Sequence, residues 1–208
     1  VRVLIAAEED QYFGEPNWLP SADAFDVVKE RDGQQSIVRV TTEWVSVETR
    51  VELGELAVVD RRLYRTADGE QLFMLTRDEN RNHLSRIDAD GQMSEVVDLA
   101  LFGLTSPEAC QLHLLSPQRV AINCLAEAGN APMVTVVDVE SSAFETYWPA
   151  AGTEVGRVFW APDSSAFAFC SGDAELDMYT SWLVRLEEGR DLAQHEALEL
   201  REGCPQVW

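Results

Sequence analysis

The 208 residues carry 37 acidic and 16 basic side chains, a net charge of −21 at pH 7, and Lys29 is the only lysine. Such a field repels phosphate backbones and argues against nucleic acid as a partner. It attracts a basic partner or, on the plainer reading, keeps the protein soluble or suits a saline habitat. A hydrophobic content of 46% is enough for a substantial core, and no apolar run approaches the roughly 20 residues that cross a bilayer.

In chain order, Val1–Ala7 reads as a strand, and the next signal is Trp18-Leu-Pro20-Ser-Ala-Asp-Ala24-Phe25. It predicts a strand ending at the tryptophan, a turn and a second, apolar strand. Pro presets φ, and a short acidic side chain can bond back to the turn backbone. Arg31-Asp32-Gly33 marks the next turn. A degenerate copy opens at Tyr64, with Ala67-Asp68-Gly69 as its turn and further turns at Asp78-Glu79-Asn80 and Asp88-Ala89-Asp90-Gly91. A third opens at Leu115-Ser-Pro117, with turns at Gly129-Asn130 and Glu140-Ser141-Ser142.

The clearest copy is Trp160-Ala-Pro162-Asp163-Ser-Ser-Ala166-Phe167-Ala-Phe169. It is followed by a polar loop over Ser171–Asp177, a strand over Met178–Leu186, a turn at Glu187-Glu188-Gly189-Arg190 and a strand over Ala193–Leu200. Trp208 repeats the opening mark, so the marks recur every 45 to 51 residues. A period of this length, with four short strands in each, predicts an all-β propeller of four-stranded antiparallel blades. The expected organisation is one domain over 1–208, with units at about 15–60, 61–110, 111–155 and 156–203 and a further blade opening at 204–208. Four complete blades and about two spare strands leave edges to cover, so the ring is expected to be completed by further sequence or by a partner chain.

The stretch from Trp160 to Phe169 resembles the repeat of TolB-type, WD-like β-propellers, whose blades open on Trp-Ser-Pro-Asp-Gly and run into an apolar strand. Ser164 stands where that family prefers Gly, and Ser21 and Gln118 stand where it prefers Asp. The resemblance implies a binding platform or, alternatively, a gating or catalytic propeller attached to a hydrolase such as a peptidase. It also points to an extracytoplasmic setting, periplasmic or secreted.

Four cysteines sit in similar places in separate units. Cys110 and Cys204 precede their marks, while Cys124 and Cys170 end equivalent strands. They read either as small apolar core residues or as two disulfides, and no Cys-x-x-Cys spacing supports zinc. His83, His113 and His195 fall within expected strands, with no Gly-x-Ser-x-Gly, phosphate loop or His-Glu-x-x-His nearby. No catalytic or cofactor-binding residue is therefore assigned.

Asp173, Glu175 and Asp177 place carboxylates at alternate positions, as Asp88 and Asp90 do. The pattern suits Ca²⁺ in kind but not in the spacing of a complete calcium loop. Tyr12, Phe13 and Tyr179 are candidate partner-binding residues, with Tyr147 and Trp148 beside them as possible contact or packing aromatics. The expected role is a non-catalytic binding or scaffold subunit for another protein, one with a basic surface.

Overall fold

The computed structural model describes residues 10–44, 46–79, 81–104, 110–124, 134–148, 154–173, 178–187 and 190–204. Among them the regular structure is β, with short 3₁₀ turns between strands. The chain divides into two compact units, Val1–Leu101 and Phe102–Trp208. Each holds two antiparallel sheets with the order of propeller blades.

In the first unit, β1 (Gln11–Phe13) and β2 (Asn17–Trp18) both pair with β3 (Ala24–Arg31) and so share one lane; β4 (Gln34–Thr41) and β5 (Val47–Glu52) complete the sheet. The second sheet repeats the plan. There β6 (Ala57–Val58) and β7 (Tyr64–Arg65) share the lane beside β8 (Leu72–Arg77), followed by β9 (Asn82–Ile87) and β10 (Met93–Asp98). The second unit contains the meanders β11 (Cys110–Ser116), β12 (Arg119–Cys124), β13 (Val134–Asp138), β14 (Phe144–Tyr147), and β15 (Glu154–Trp160), β16 (Ala166–Asp173), β17 (Met178–Arg185), β18 (Ala197–Glu202). The strand expected at Val1–Ala7 lies outside the described residues.

The turn after each mark shows which positions correspond. Ala22 N donates to Leu19 O, Gly69 N to Thr66 O and Ser164 N to Ala161 O, each at 2.9 Å. The pairs Trp18↔Phe25, Arg65↔Leu72 and Trp160↔Phe167 then align. The opening residue of the second blade is therefore Arg65, one position beyond the expected Tyr64. In the third blade Leu115 lies at a register shift between Leu114 and Ser116, and Ser116 pairs directly with Arg119. Its Pro117-Gln118 turn is thus tighter than the Trp-x-Pro turns.

Strand alternation makes the interface between the first two blades. On β3 and β4, the pairs Asp26↔Arg39, Val28↔Ile37 and Glu30↔Gln35 lie on one face. Val28 and Ile37 enter a core cluster with Leu53, Val58, Leu63, Leu72, Met74 and Ile87. Asp26, fully buried, accepts two 2.9 Å bonds from Arg39 and a further bond from Arg65. Glu30 accepts from Arg61, while Gln35 Oε1 accepts from the Val58 N–H at 2.7 Å. Gly69 has φ +82°, and a Cβ there would lie 3.0 Å from Pro20 Cδ, so glycine lets the two blade turns meet.

In the second unit, Ala121, Val134, Val136 and Tyr147 pack against Phe167, Phe169, Val184 and Leu192. Trp160 donates through Nε1 to Asn123 Oδ1 at 3.0 Å, and its ring stacks on His113 with centroids 4.9 Å apart. The cysteines form two disulfides, Cys110–Cys124 and Cys170–Cys204, rather than serving as free core fillers. Cys110 and Cys124 are direct cross-strand partners, which brings their sulfurs within bonding reach. Two boundaries also move: Ser171–Asp173 belong to β16, and Leu192–Gln194 form a 3₁₀ turn that leaves His195 in a connection instead of a strand.

Each fully buried aliphatic or aromatic side chain contributes about 1.5–3 kcal/mol, whereas a buried ion group gains little over a well-packed apolar substitute. The apolar faces therefore hold the blades together, and the Arg39–Asp26–Arg65 group sets how they meet. Removing one member is a different matter, because charges stay buried without a counterion. Asp26→Ala is expected to lower the unfolding free energy by about 3–5 kcal/mol, read by urea denaturation; a loss below about 1 kcal/mol would show that the group is solvated.

Candidate interaction surface

The blade turns fix their own carboxylates. Asp68 accepts from Thr66 Oγ1 at 2.6 Å and from the Glu70 N–H; Asp138 accepts from Ser141 Oγ at 2.6 Å and from the N–H groups of Glu140 and Ser141; Asp163 accepts from Ser165 Oγ at 2.7 Å and from its N–H. In each case the hydroxyl bond is the largest influence holding the carboxyl below its usual pKa, with the turn N–H groups adding to it. These turns present fixed negative charges.

Tyr12 on β1 is 58% exposed, and the Arg61 guanidinium lies 5.6 Å from its ring centroid. Arg61 is held in turn by Glu30, whose carboxyl is kept below its ordinary pKa by Gln35 first and Arg61 second. A Cβ at Gly14 would lie 2.3 Å from Arg61 O, so glycine is required where β1 and β2 part. Phe13 points the other way and packs against Phe25, Val27, Val38 and Val40. Tyr179, in the second unit at the start of β17, is 37% exposed. Of the other aromatics, Tyr147 is buried in the core, and Trp148 is half exposed with its Nε1 donating to Thr146 Oγ1 at 3.2 Å.

Glu175 and Asp177 lie outside the described residues, as does the Asp173 side chain. In the turn at Asp88, the carboxylate accepts from Gln92 N–H at 2.8 Å. Among the described residues no three His, Cys, Asp or Glu groups are placed to hold a metal ion.

The histidines are tied into the fold. His195 Nε2 accepts from the Glu187 N–H at 2.9 Å, so Nδ1 carries the proton and donates to Asp191 O at 2.9 Å. His83 is 2% exposed, with Nδ1 3.0 Å from Glu95 Oε1 and Nε2 3.5 Å from Asp78 Oδ2. His113 Nε2 lies 3.1 Å from Ser164 Oγ across the blade interface. Ser164 has φ +59°, which explains the preference for Gly at that turn position.

Sequence reasoning singled out neither Asp68 and Asp138 as anchored charges nor Trp44, which is 83% exposed in the β4–β5 connection. The Ser/Thr-x-Asp and Asp-x-x-Ser spacings were a legible signal for the charges. Trp44 carried no such local pattern.

No protein-family model and no curated protein matches the sequence. Similar solved structures include an oligogalacturonate lyase in complex with manganese, with TM-score 0.70 and 14% identity over 90% of this chain and 52% of that one. TolB from Acinetobacter baumannii gives TM-score 0.60 and 12% identity over 91% of this chain and 43% of that one. The β-propeller domain of the Trilobed protease from Pyrococcus furiosus gives 0.58 and 11%, over 90% and 57%. The chain thus spans about half the length of the first two structures. At these identities the likeness establishes a TolB-like β-propeller fold and nothing of activity.

Burial holds the His113 pKa below its ordinary value, so folding favours the neutral ring. The resulting stability is fully present above about pH 6.5 and is lost as pH falls through that value toward the lower folded pKa. Thermal unfolding midpoints should therefore fall between about pH 7 and pH 5, and His113→Phe should lessen that slope. An unchanged slope would place the acid sensitivity elsewhere.

Proposed function

We propose that this chain is a non-catalytic β-propeller subunit that binds a protein with a basic surface. The observation carrying the reading is the acidic excess, −21 overall, joined to turns whose carboxylates are held charged and in place by their own hydrogen bonds. Fixed charges on rigid turns need no reordering on association, and they steer a cationic partner. Tyr12, with Arg61 over its ring, and Tyr179 offer aromatic contact at the surface. Phe13 supports the blade beneath Tyr12. A calcium ion held by Asp173, Glu175 and Asp177 belongs to the same proposal, resting on the alternate carboxylates of the sequence.

The two disulfides support an extracytoplasmic location, since such bonds persist in oxidising compartments. No helix among the described residues is long and apolar enough to cross a membrane. The second reading, a propeller gating or assisting a hydrolase, is favoured by the likeness to the protease propeller. Oligogalacturonate is itself anionic and would meet the same repulsive field, so the lyase likeness extends to fold rather than substrate.

Immobilised protein is expected to retain a cationic protein partner at about 0.05 M salt and release it near 0.5 M; native mass spectrometry showing no complex at either salt would overturn the reading. Protein taken from an oxidising compartment should show no alkylatable thiol after unfolding without reductant. Four free thiols would remove the argument for location.

A further inference from the structure

The β4–β5 connection presents an aromatic side chain that the blade does not use. Trp44 is 83% exposed, and Val47 beside it is 47% exposed. Thr41, Thr42 and Ser46 on either side of Trp44 are hydrogen-bonded. Thr41 N–H donates to Ser46 O at 3.0 Å, the two hydroxyls lie 2.8 Å apart, and Ser46 N–H donates to Thr41 Oγ1. Thr42 then ties it to the neighbouring β2–β3 turn, donating through both N–H and Oγ1 to Asp23 O at 2.8 Å. Covering the Trp44 ring removes a large apolar area from water.

The charges around it select the occupant. Asp23, Glu43 and Glu48 lie on this end of the blade, with Glu48 the cross-strand partner of Arg39. Arg39 and Arg65 both bond to Asp26, and Arg39 feels Glu48 and Asp23 as well at longer range. Three carboxylates thus share this end of the blade with one surplus positive charge and an open indole. An open indole on an acidic end of a blade suits a guanidinium or ammonium group, which gains cation–π attraction and charge-assisted hydrogen bonds together.

Resting on the binding role above and naming its contact point, we propose that Trp44, with Asp23, Glu43 and Glu48, is the docking site for an arginine- or lysine-bearing segment of the protein partner.

The test is calorimetric titration of the full chain with a short arginine–glycine peptide, using a glutamate–glycine peptide of equal length as control. Trp44→Ala is expected to weaken the arginine peptide about tenfold or more, with Trp44→Phe recovering much of the loss. The pair Glu43→Gln and Glu48→Gln should flatten the salt dependence. Far-UV circular dichroism should be the same for all variants, because Trp44 is outside the core. Equal binding by Trp44→Ala, or binding of the glutamate peptide as tightly, overturns this site while leaving the binding role intact. Failure of the unaltered chain to bind the arginine peptide, while a basic protein is still captured reversibly by salt, also overturns it alone. Loss of both overturns the binding role as well.

Discussion

Within each unit, the residue that closes the first strand of the later blade is held by the second strand of the blade before it. Arg65 closes β7 and is held by Asp26 on β3, while Trp160 closes β15 and is held by Asn123 on β12. The first grip is ionic and fully buried, and the second joins an indole N–H to an amide while the ring stacks on His113. Two chemistries thus do one job within two separate units. Apolar faces can slide over one another at small cost, but a buried carboxylate with two guanidinium partners has one arrangement that satisfies it. The grip therefore sets the register in which Val28, Ile37 and their neighbours meet the next blade.

This arrangement also explains which parts of the fold were legible in the chain. The Trp-x-Pro-x-x-x-Ala-Phe spacing revealed the first and fourth blades, because a seven-residue step from closing residue to apolar partner is set by the turn. In the second blade the same step runs from Arg65 to Leu72. A search for an aromatic mark settles one residue early, on Tyr64. Only the acid on another blade makes an arginine suitable there, and that pairing spans 39 residues. The third blade hid its register because a bulge and a two-residue turn preserve the Pro spacing while changing the pairing.

The cysteines were ambiguous for a related reason. Equivalent positions in repeats suggest equivalent roles, yet Cys110 bonds to its cross-strand partner, whereas Cys170 bonds to Cys204, which follows β18 in the chain. Repeat position does not reveal which strand comes near in space. His195 was misplaced because it lies just before β18, while the Asp191 side chain capping Ala193 N–H turns the chain into a 3₁₀ segment first. The surface was least legible. Exposure of Trp44 depends on what the fold leaves uncovered, and no periodicity encodes that.

Acidity and blade construction meet in the turns. An aspartate whose oxygens accept from its own turn serves the backbone and remains ionised, so the fold keeps part of the negative field at fixed places. A field of that kind differs from one carried by long, mobile side chains, which must give up rotamer freedom on contact. The described histidines are engaged in holding connections and interfaces, as at His195 and His113, and the Ser164 hydroxyl meets one of them as a link between blades. In the binding role proposed above, the carboxylates of the turns are groups already held where a partner would meet them.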